Sequence, residues 1–227
     1  MTRPDAAVVQ ALYGGYDTLK PVMPQAGLDV DWVLVTDDAS LRSSALGWRV
    51  VHLPRPGVHP NRAAKAPKMS PWEYTDADSS VWLDASFRVT SPDFVAGALA
   101  CASTTFSSDP VAQFVHPWRD CAFDEAEESA KLAKYAGEDF GPQVKDAREL
   151  GHPDHWGLWA TGVIARRHAH ELVRECSAIW ADLIERFTFQ DQVSQPVALR
   201  LAGLRPAPLP GTHFANPWLT YEGSERH

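Results

Sequence analysis

Short apolar runs, each closed by a turn, an acid or a proline, constrain the fold of this chain more than any other feature. Ala6 to Tyr13 runs into Gly14-Gly15-Tyr16-Asp17. Asp31 to Thr36 ends in Asp37-Asp38, and Trp48 to Leu53 stops at Pro54. Three such Val-rich segments, separated by helical stretches, predict a mainly parallel sheet covered on both faces, an α/β fold. Ser80 to Leu83 adds a strand leading into Asp84-Ala85-Ser86-Phe87.

The remaining pattern alternates helix and strand. Arg55 to Pro60 carries two prolines directly after Pro54 and is expected to be an extended loop, with a short helix following through Lys65 and Lys68. Ser91-Pro92-Asp93 suits a helix start running to about Cys101. Val111 to Val115 and Gly162 to Ala165 read as strands. Helices are expected over Asp124 to Tyr135, Gly141 to Leu150, His168 to Phe187 and Asp191 to Ala202. In the long helix Leu172, Cys176, Ile179 and Leu183 fall on one face. From about residue 205 the chain is Pro- and Gly-rich and is expected to be irregular. No composition break marks a linker, so residues 1–227 read as a single domain.

Composition narrows the function classes. A formal net charge of -8 gives no global basic field for polyanions, although Arg55, Arg62, Lys65 and Lys68 form a local cationic stretch without an acid. Cys101, Cys121 and Cys176 have neither metal-pair spacing nor the density of a disulfide scaffold, which suits reduced thiols in a cytoplasm. No segment approaches the roughly 20 apolar residues that span a bilayer, and the first residues lack a signal-peptide core. The expectation is a cytoplasmic protein without a membrane span. Most of the nine tryptophans are expected in the core, where an indole buries a large area.

The chemistry is expected at the carboxyl ends of the strands, where open α/β sheets bind ligands. Those ends carry Asp17, Asp37, Asp38 and Asp84. Clustered acids repel a phosphate unless a divalent cation lies between, and hard cations take carboxylate and phosphate oxygens together. No Gly-rich dinucleotide fingerprint, P-loop lysine, serine elbow or zinc-binding histidine pair is present. A Mg²⁺- or Mn²⁺-assisted nucleoside-diphosphate site is the reading that remains.

Taken together, Tyr13-Gly14-Gly15-Tyr16-Asp17, Gly47-Trp48-Arg49-Val50-Val51, Arg62-Ala63-Ala64-Lys65, Trp82-Leu83-Asp84-Ala85-Ser86-Phe87, His116-Pro117-Trp118-Arg119-Asp120-Cys121, Gly162-Val163-Ile164 and Asp191-Gln192 resemble the family catalogued as domain of unknown function 616, which includes mucilage-related glycosyltransferases. The likeness runs from about Leu12 to Ser194, and the chain is more remotely similar to glycosyltransferase family 8. The resemblance implies a GT-A fold and transfer of a sugar from a nucleotide-diphosphate donor, a UDP-sugar, to a hydroxyl acceptor, with retention of configuration in family 8. It implies that Asp84 and His213 hold Mn²⁺ or Mg²⁺. Ser86 stands where the family has a second acid, a departure that weakens one metal ligand. Tyr13, Gly14, Gly15, Asp17, Asp37, Asp38, Arg62, Lys65 and Lys68 become candidates for the nucleotide and its diphosphate. Asp191 would grip a donor-sugar hydroxyl from a helix mouth, where an N-cap acid is also expected, and Gln192 would face the anomeric carbon. His116, Trp118, Arg119 and Asp120 are candidates for the acceptor.

Two other readings stay open. The cationic stretch from Arg55 to Lys68 leaves room for an acceptor that is a hydroxymethylated DNA base. The serine in place of the second acid leaves room for a non-catalytic nucleotide-sugar-binding module.

Overall fold

The computed structural model describes residues 3–42, 44–102 and 109–223. Its frame is an eight-stranded sheet. Strands β1 (Ala6–Leu12), β2 (Val30–Thr36), β3 (Ser44–Ala45), β4 (Trp48–His52), β5 (Ser80–Leu83), β7 (Val111–Val115), β8 (Trp159–Arg166) and β9 (Ala207–Pro208) lie in the order β3-β4-β2-β1-β5-β8-β7-β9. The chain pairs β1 with β2 and β5, β2 with β4, and β7 with β9 in parallel, whereas β3 and β8 run antiparallel to their neighbours. The sheet is therefore mixed and mainly parallel, the α/β architecture expected. A separate two-stranded ribbon joins β6 (Phe87–Val89) to β10 (Leu219–Tyr221).

β1 lies mid-sheet, and every residue of it is buried. Successive side chains of a strand point to opposite faces. Ala7, Val9 and Ala11 accordingly enter one core while Ala6, Val8 and Leu12 enter the other. The first core is closed by α2 (Lys65–Met69), which follows the one-turn helix α1 (Pro60–Ala63), and by the later helices: α4 (Ala122–Ser129), α5 (Phe140–Glu149), α6 (Glu171–Arg186) and α7 (Asp191–Leu201). The second is closed by α3 (Phe94–Cys101) and Trp218. Gly97 of α3 lies directly beneath the Trp218 ring, where a Cβ would come within 2.5 Å of it, so only glycine lets helix and indole approach this closely.

Several expectations need correction. The helix read over Asp124 to Tyr135 breaks in two: α4 stops at Ser129 and a 3₁₀ turn covers Ala133–Tyr135. The strand read over Gly162 to Ala165 extends over Trp159–Arg166, with a register shift opposite Gln113 and Phe114. On α6 the buried side is Val173, Cys176, Ser177, Trp180, Leu183 and Ile184, and Leu172 is exposed. The tail beyond residue 205 is not wholly irregular. It supplies β9 at the sheet edge and β10 in the ribbon, short pieces with too little periodicity to be seen in sequence. Among the described residues no helix is long and apolar enough to cross a membrane.

Candidate active site

The strand order reverses at β1. The chain moves outward from β1 to β2 and β4, then returns to place β5 on the other side of β1. Such a switch point opens a crevice beyond the carboxyl ends of the two central strands. A cleft of about 390 Å³ lies there, walled by Leu12 and Tyr13 at the end of β1 and by Trp82, Asp84 and Ser86 around β5.

Asp84 leaves the end of β5 with its side chain 40 % exposed. Its Oδ1 accepts a hydrogen bond from Trp82 Nε1 at 2.6 Å and lies 3.6 Å from Lys68 Nζ. Among the described residues no hydrogen bond reaches its Oδ2. The backbone N–H of Asp84 donates to Gly162 O at 2.8 Å, and a Cβ on Gly162 would come within 3.2 Å of Oδ2 and 2.8 Å of Phe87. Ser86 and His213 line the same cleft. Burial pushes the His213 imidazole down to about 4, helped by nearby His116 and opposed by Asp84, so the ring is neutral at pH 7. Its Nδ1 is buried without a hydrogen-bond partner. A carboxylate, a hydroxyl and a neutral imidazole carried by residues that line one cleft form a donor set that fits a divalent cation.

Beneath the metal-ligand candidates lies a buried charge cluster. Lys65 Nζ and Lys68 Nζ donate to Asp191 Oδ2 at 2.7 and 2.5 Å, and Thr161 Oγ1 donates to Asp191 Oδ1 at 3.0 Å. Burial would raise the Asp191 carboxyl, but the two ammonium groups outweigh it and hold the group well below the usual carboxylate range. Burial lowers Lys65 to about 8 despite the attraction of Asp191. Both lysines also line the cleft.

The expectation for Asp191 is corrected here. Gln190, not Asp191, is the N-cap of α7, accepting from Gln192 N, and Asp191 is 4 % exposed rather than open at a helix mouth. It reaches the cleft through the lysines. Gln192 does line the cleft, and its Nε2 donates to Glu125 Oε1 at 3.0 Å.

The other sequence candidates divide. Tyr13 and Asp17 line the cleft; Tyr13 OH donates to Leu53 O at 3.0 Å, and Asp17 accepts from Lys20 Nζ at 2.8 Å. Gly14, Gly15, Asp37, Asp38 and Arg62 lie outside the lining. The two glycines form a turn with φ of 65° and 62°, and Asp37 accepts from Gly14 N at 3.1 Å, holding that turn. Asp38 accepts from Ser40 N at 2.8 Å. Arg62 brackets the end of α6, donating to Ile184 O and Phe187 O and pairing with Glu138 at 3.0 Å. The stretch from Arg55 to Lys68 is thus not a free cationic groove, since Arg62, Lys65 and Lys68 all have acid partners.

His116, Arg119 and Asp120 are also outside the lining. His116 is buried and neutral, lowered to about 4 by burial and Arg119, and Arg119 Nε donates to Glu125 at 2.6 Å. Trp118 is 67 % exposed and sits edge-on to His213 with centroids 6.3 Å apart, beside Phe214. Sequence reasoning missed Tyr16, Asn61, Lys134 and Tyr221, all of which line the cleft. Tyr16 stood inside a quoted motif; the other three lie in a loop helix, a 3₁₀ turn and the tail, where no pattern marks them.

No family model matches the chain, and no curated protein does. Solved structures similar to it include the galactosyltransferase LgtC in complex with donor and acceptor sugar analogs (13% identity, 86% of this chain and 70% of that one, TM-score 0.44). They also include the glycosyltransferase GlyE of Streptococcus pneumoniae (13% identity, 92% of this chain, TM-score 0.47) and the bifunctional glycosyltransferase WbbM (12% identity, 86% of this chain, TM-score 0.49). The chain spans 46% of the length of GlyE and 37% of that of WbbM.

Proposed function

We propose that this chain is a GT-A-type glycosyltransferase that moves a sugar from a nucleotide-diphosphate donor, a UDP-sugar, to a hydroxyl acceptor with the help of Mn²⁺ or Mg²⁺. The observation that carries the reading is that Asp84, Ser86 and His213 line one cleft, with two lysines beside them. The family resemblance of the sequence supports it. Asp84, Ser86 and His213 would hold the cation, which supplies positive charge to the departing diphosphate. Glycosyl transfer builds negative charge on that leaving group, so positive charge fixed beside it stabilises the transition state more than the ground state.

In this reading Lys65 and Lys68 shift part of their attraction from Asp191 to the phosphate oxygens. Asp191 keeps both ammonium groups aimed at the cleft between turnovers. Gln192, oriented through Glu125, presents its amide to the donor sugar, and the exposed ring of Trp118 beside His213 offers an apolar surface to the acceptor.

Thermal melting with a panel of nucleoside-diphosphate sugars, each with and without Mn²⁺, tests the proposal. One donor class is expected to raise the melting temperature by several degrees only when metal is present, and Asp84→Ala is expected to abolish that gain. An unchanged melting temperature for every donor, or a gain that survives Asp84→Ala, would overturn it.

A further inference from the structure

Away from the cleft, a second group of ligand-type side chains converges between the start of α4 and the loop that leads into β8. Cys121, Asp124 and His155 each place one ligand atom within 4.8 Å of the other two. Cys121 is the N-cap residue of α4 and is 2 % exposed, Asp124 lies in the first turn of the same helix, and His155 comes from the segment after α5. Asp120 adds a second carboxylate, its Oδ1 lying 2.7 Å from His155 Nδ1. The two segments are tied together by Gly157 N donating to Asp120 O at 3.0 Å, so the grouping belongs to the packed backbone rather than to two free loops.

The acids here are under-compensated. Asp124 has no salt-bridge partner among the described residues and Asp120 has His155 alone, whereas nearby Glu125 has Arg119 at 2.6 Å and Asp154 has Arg148 at 3.3 Å. Thiolate, imidazole and carboxylate together form a borderline-soft donor set. It suits Zn²⁺ better than the hard Mg²⁺ or Mn²⁺ expected at Asp84.

We propose that Cys121, Asp124 and His155 bind a zinc ion, with Asp120 holding the His155 ring. Binding forms one Zn–S, one Zn–O and one Zn–N bond to the protein, and the Cys121 thiol gives up its proton to solvent. Water completes the tetrahedral shell. The ion staples the entrance of α4 to the entrance of β8, a cross-link among side chains that the donor cleft does not use. The proposal is independent of the glycosyltransferase reading.

Cobalt titration of the metal-free full-length protein tests it without any assay of activity. One equivalent of Co²⁺ is expected to produce a thiolate-to-cobalt charge-transfer band, which the Asp84, Ser86 and His213 set cannot give because it contains no sulfur. One equivalent of Zn²⁺ should erase it. Cys121→Ser and His155→Ala should each remove the band. His155→Ala changes an exposed side chain, so its fold can be checked by circular dichroism even if the buried Cys121→Ser variant unfolds. Asp120→Asn should weaken zinc binding by about 10- to 100-fold. Absence of the band in wild-type protein, or its persistence in folded His155→Ala, would overturn the site.

Discussion

At the scale of single residues, the cleft is governed by one carboxylate facing two ammonium groups. Removing one partner of a buried charge cluster leaves the rest uncompensated, at a cost of about 3–5 kcal/mol. Asp191→Ala is therefore expected to lower chemical-denaturation stability by that order, far more than a polar surface substitution. Lys65 titrates within reach of experiment. Its folded value of about 8 lies below the ordinary 10.5, with burial the main cause. Affinity for a nucleoside diphosphate, measured by calorimetry, should fall as pH climbs past 8 and the ammonium group loses its proton. The sign for folding is opposite. Between about 8 and 10.5 the unfolded lysine keeps a proton that the folded one has lost, so the penalty for burying a charged Lys65 is relieved as pH rises. That Asp84, Lys65 and Lys68 are candidates for one site was legible in sequence, Asp84 from its place at a strand end and the two lysines from their spacing of about one helical turn in a cationic stretch. The burial of Asp191 was not, because helix-start acids are usually solvated and only the packed structure shows two lysines converging on this one.

At the scale of elements, β5 and β8 act together on the cleft. Gly162 of β8 accepts the Asp84 N–H and leaves room for its carboxylate. Gly162→Ala would press a methyl group against Phe87 and Asp84 Oδ2. The overpacking should cost about 1–3 kcal/mol of stability. It should also remove the metal-dependent part of donor stabilisation in the melting assay. The strands that place these groups were largely readable, because β1, β2 and β5 are mostly buried and appear as short, largely apolar runs, while β4, with Arg49 and His52 exposed, was marked by its Trp and Val residues and the Pro54 stop. β3, β9 and β10 were invisible, being two or three residues long and fixed by pairing partners rather than by their own pattern. The antiparallel direction of β8 was hidden as well, since strand direction depends on how the chain returns.

At the scale of the whole molecule, four histidines make the fold sensitive to acid. His116, His152, His168 and His213 are each lowered from 6.5 to about 4, with burial the largest cause in every case. His168 is held on both sides, by Ser80 Oγ at 2.9 Å and Ala77 O at 2.6 Å. The unfolded chain takes up these protons first, so stability should decline as pH falls from about 6.5 towards 4, by on the order of a few kcal/mol in urea midpoint measurements. Below that window Asp191 adds a further loss as its carboxylate is protonated. The α/β class was open to sequence reasoning because it follows from hydrophobic runs, while of the cleft wall drawn from the chain's far end only His213 was anticipated, through the family resemblance, and Tyr221 was not. That wall has two unequal halves. Asp84 stands on the central sheet, but His213 belongs to a strap fastened by the Trp218 indole over Gly97, the carbonyl of Trp218 on Thr90, and three residues of ribbon. Without ligand, warming should slacken the strap while the sheet is still intact, whereas the proposed cation, spanning both halves, would hold the strap down until the sheet itself gives way. The two halves of the wall would then be separate thermometers of the same unliganded molecule.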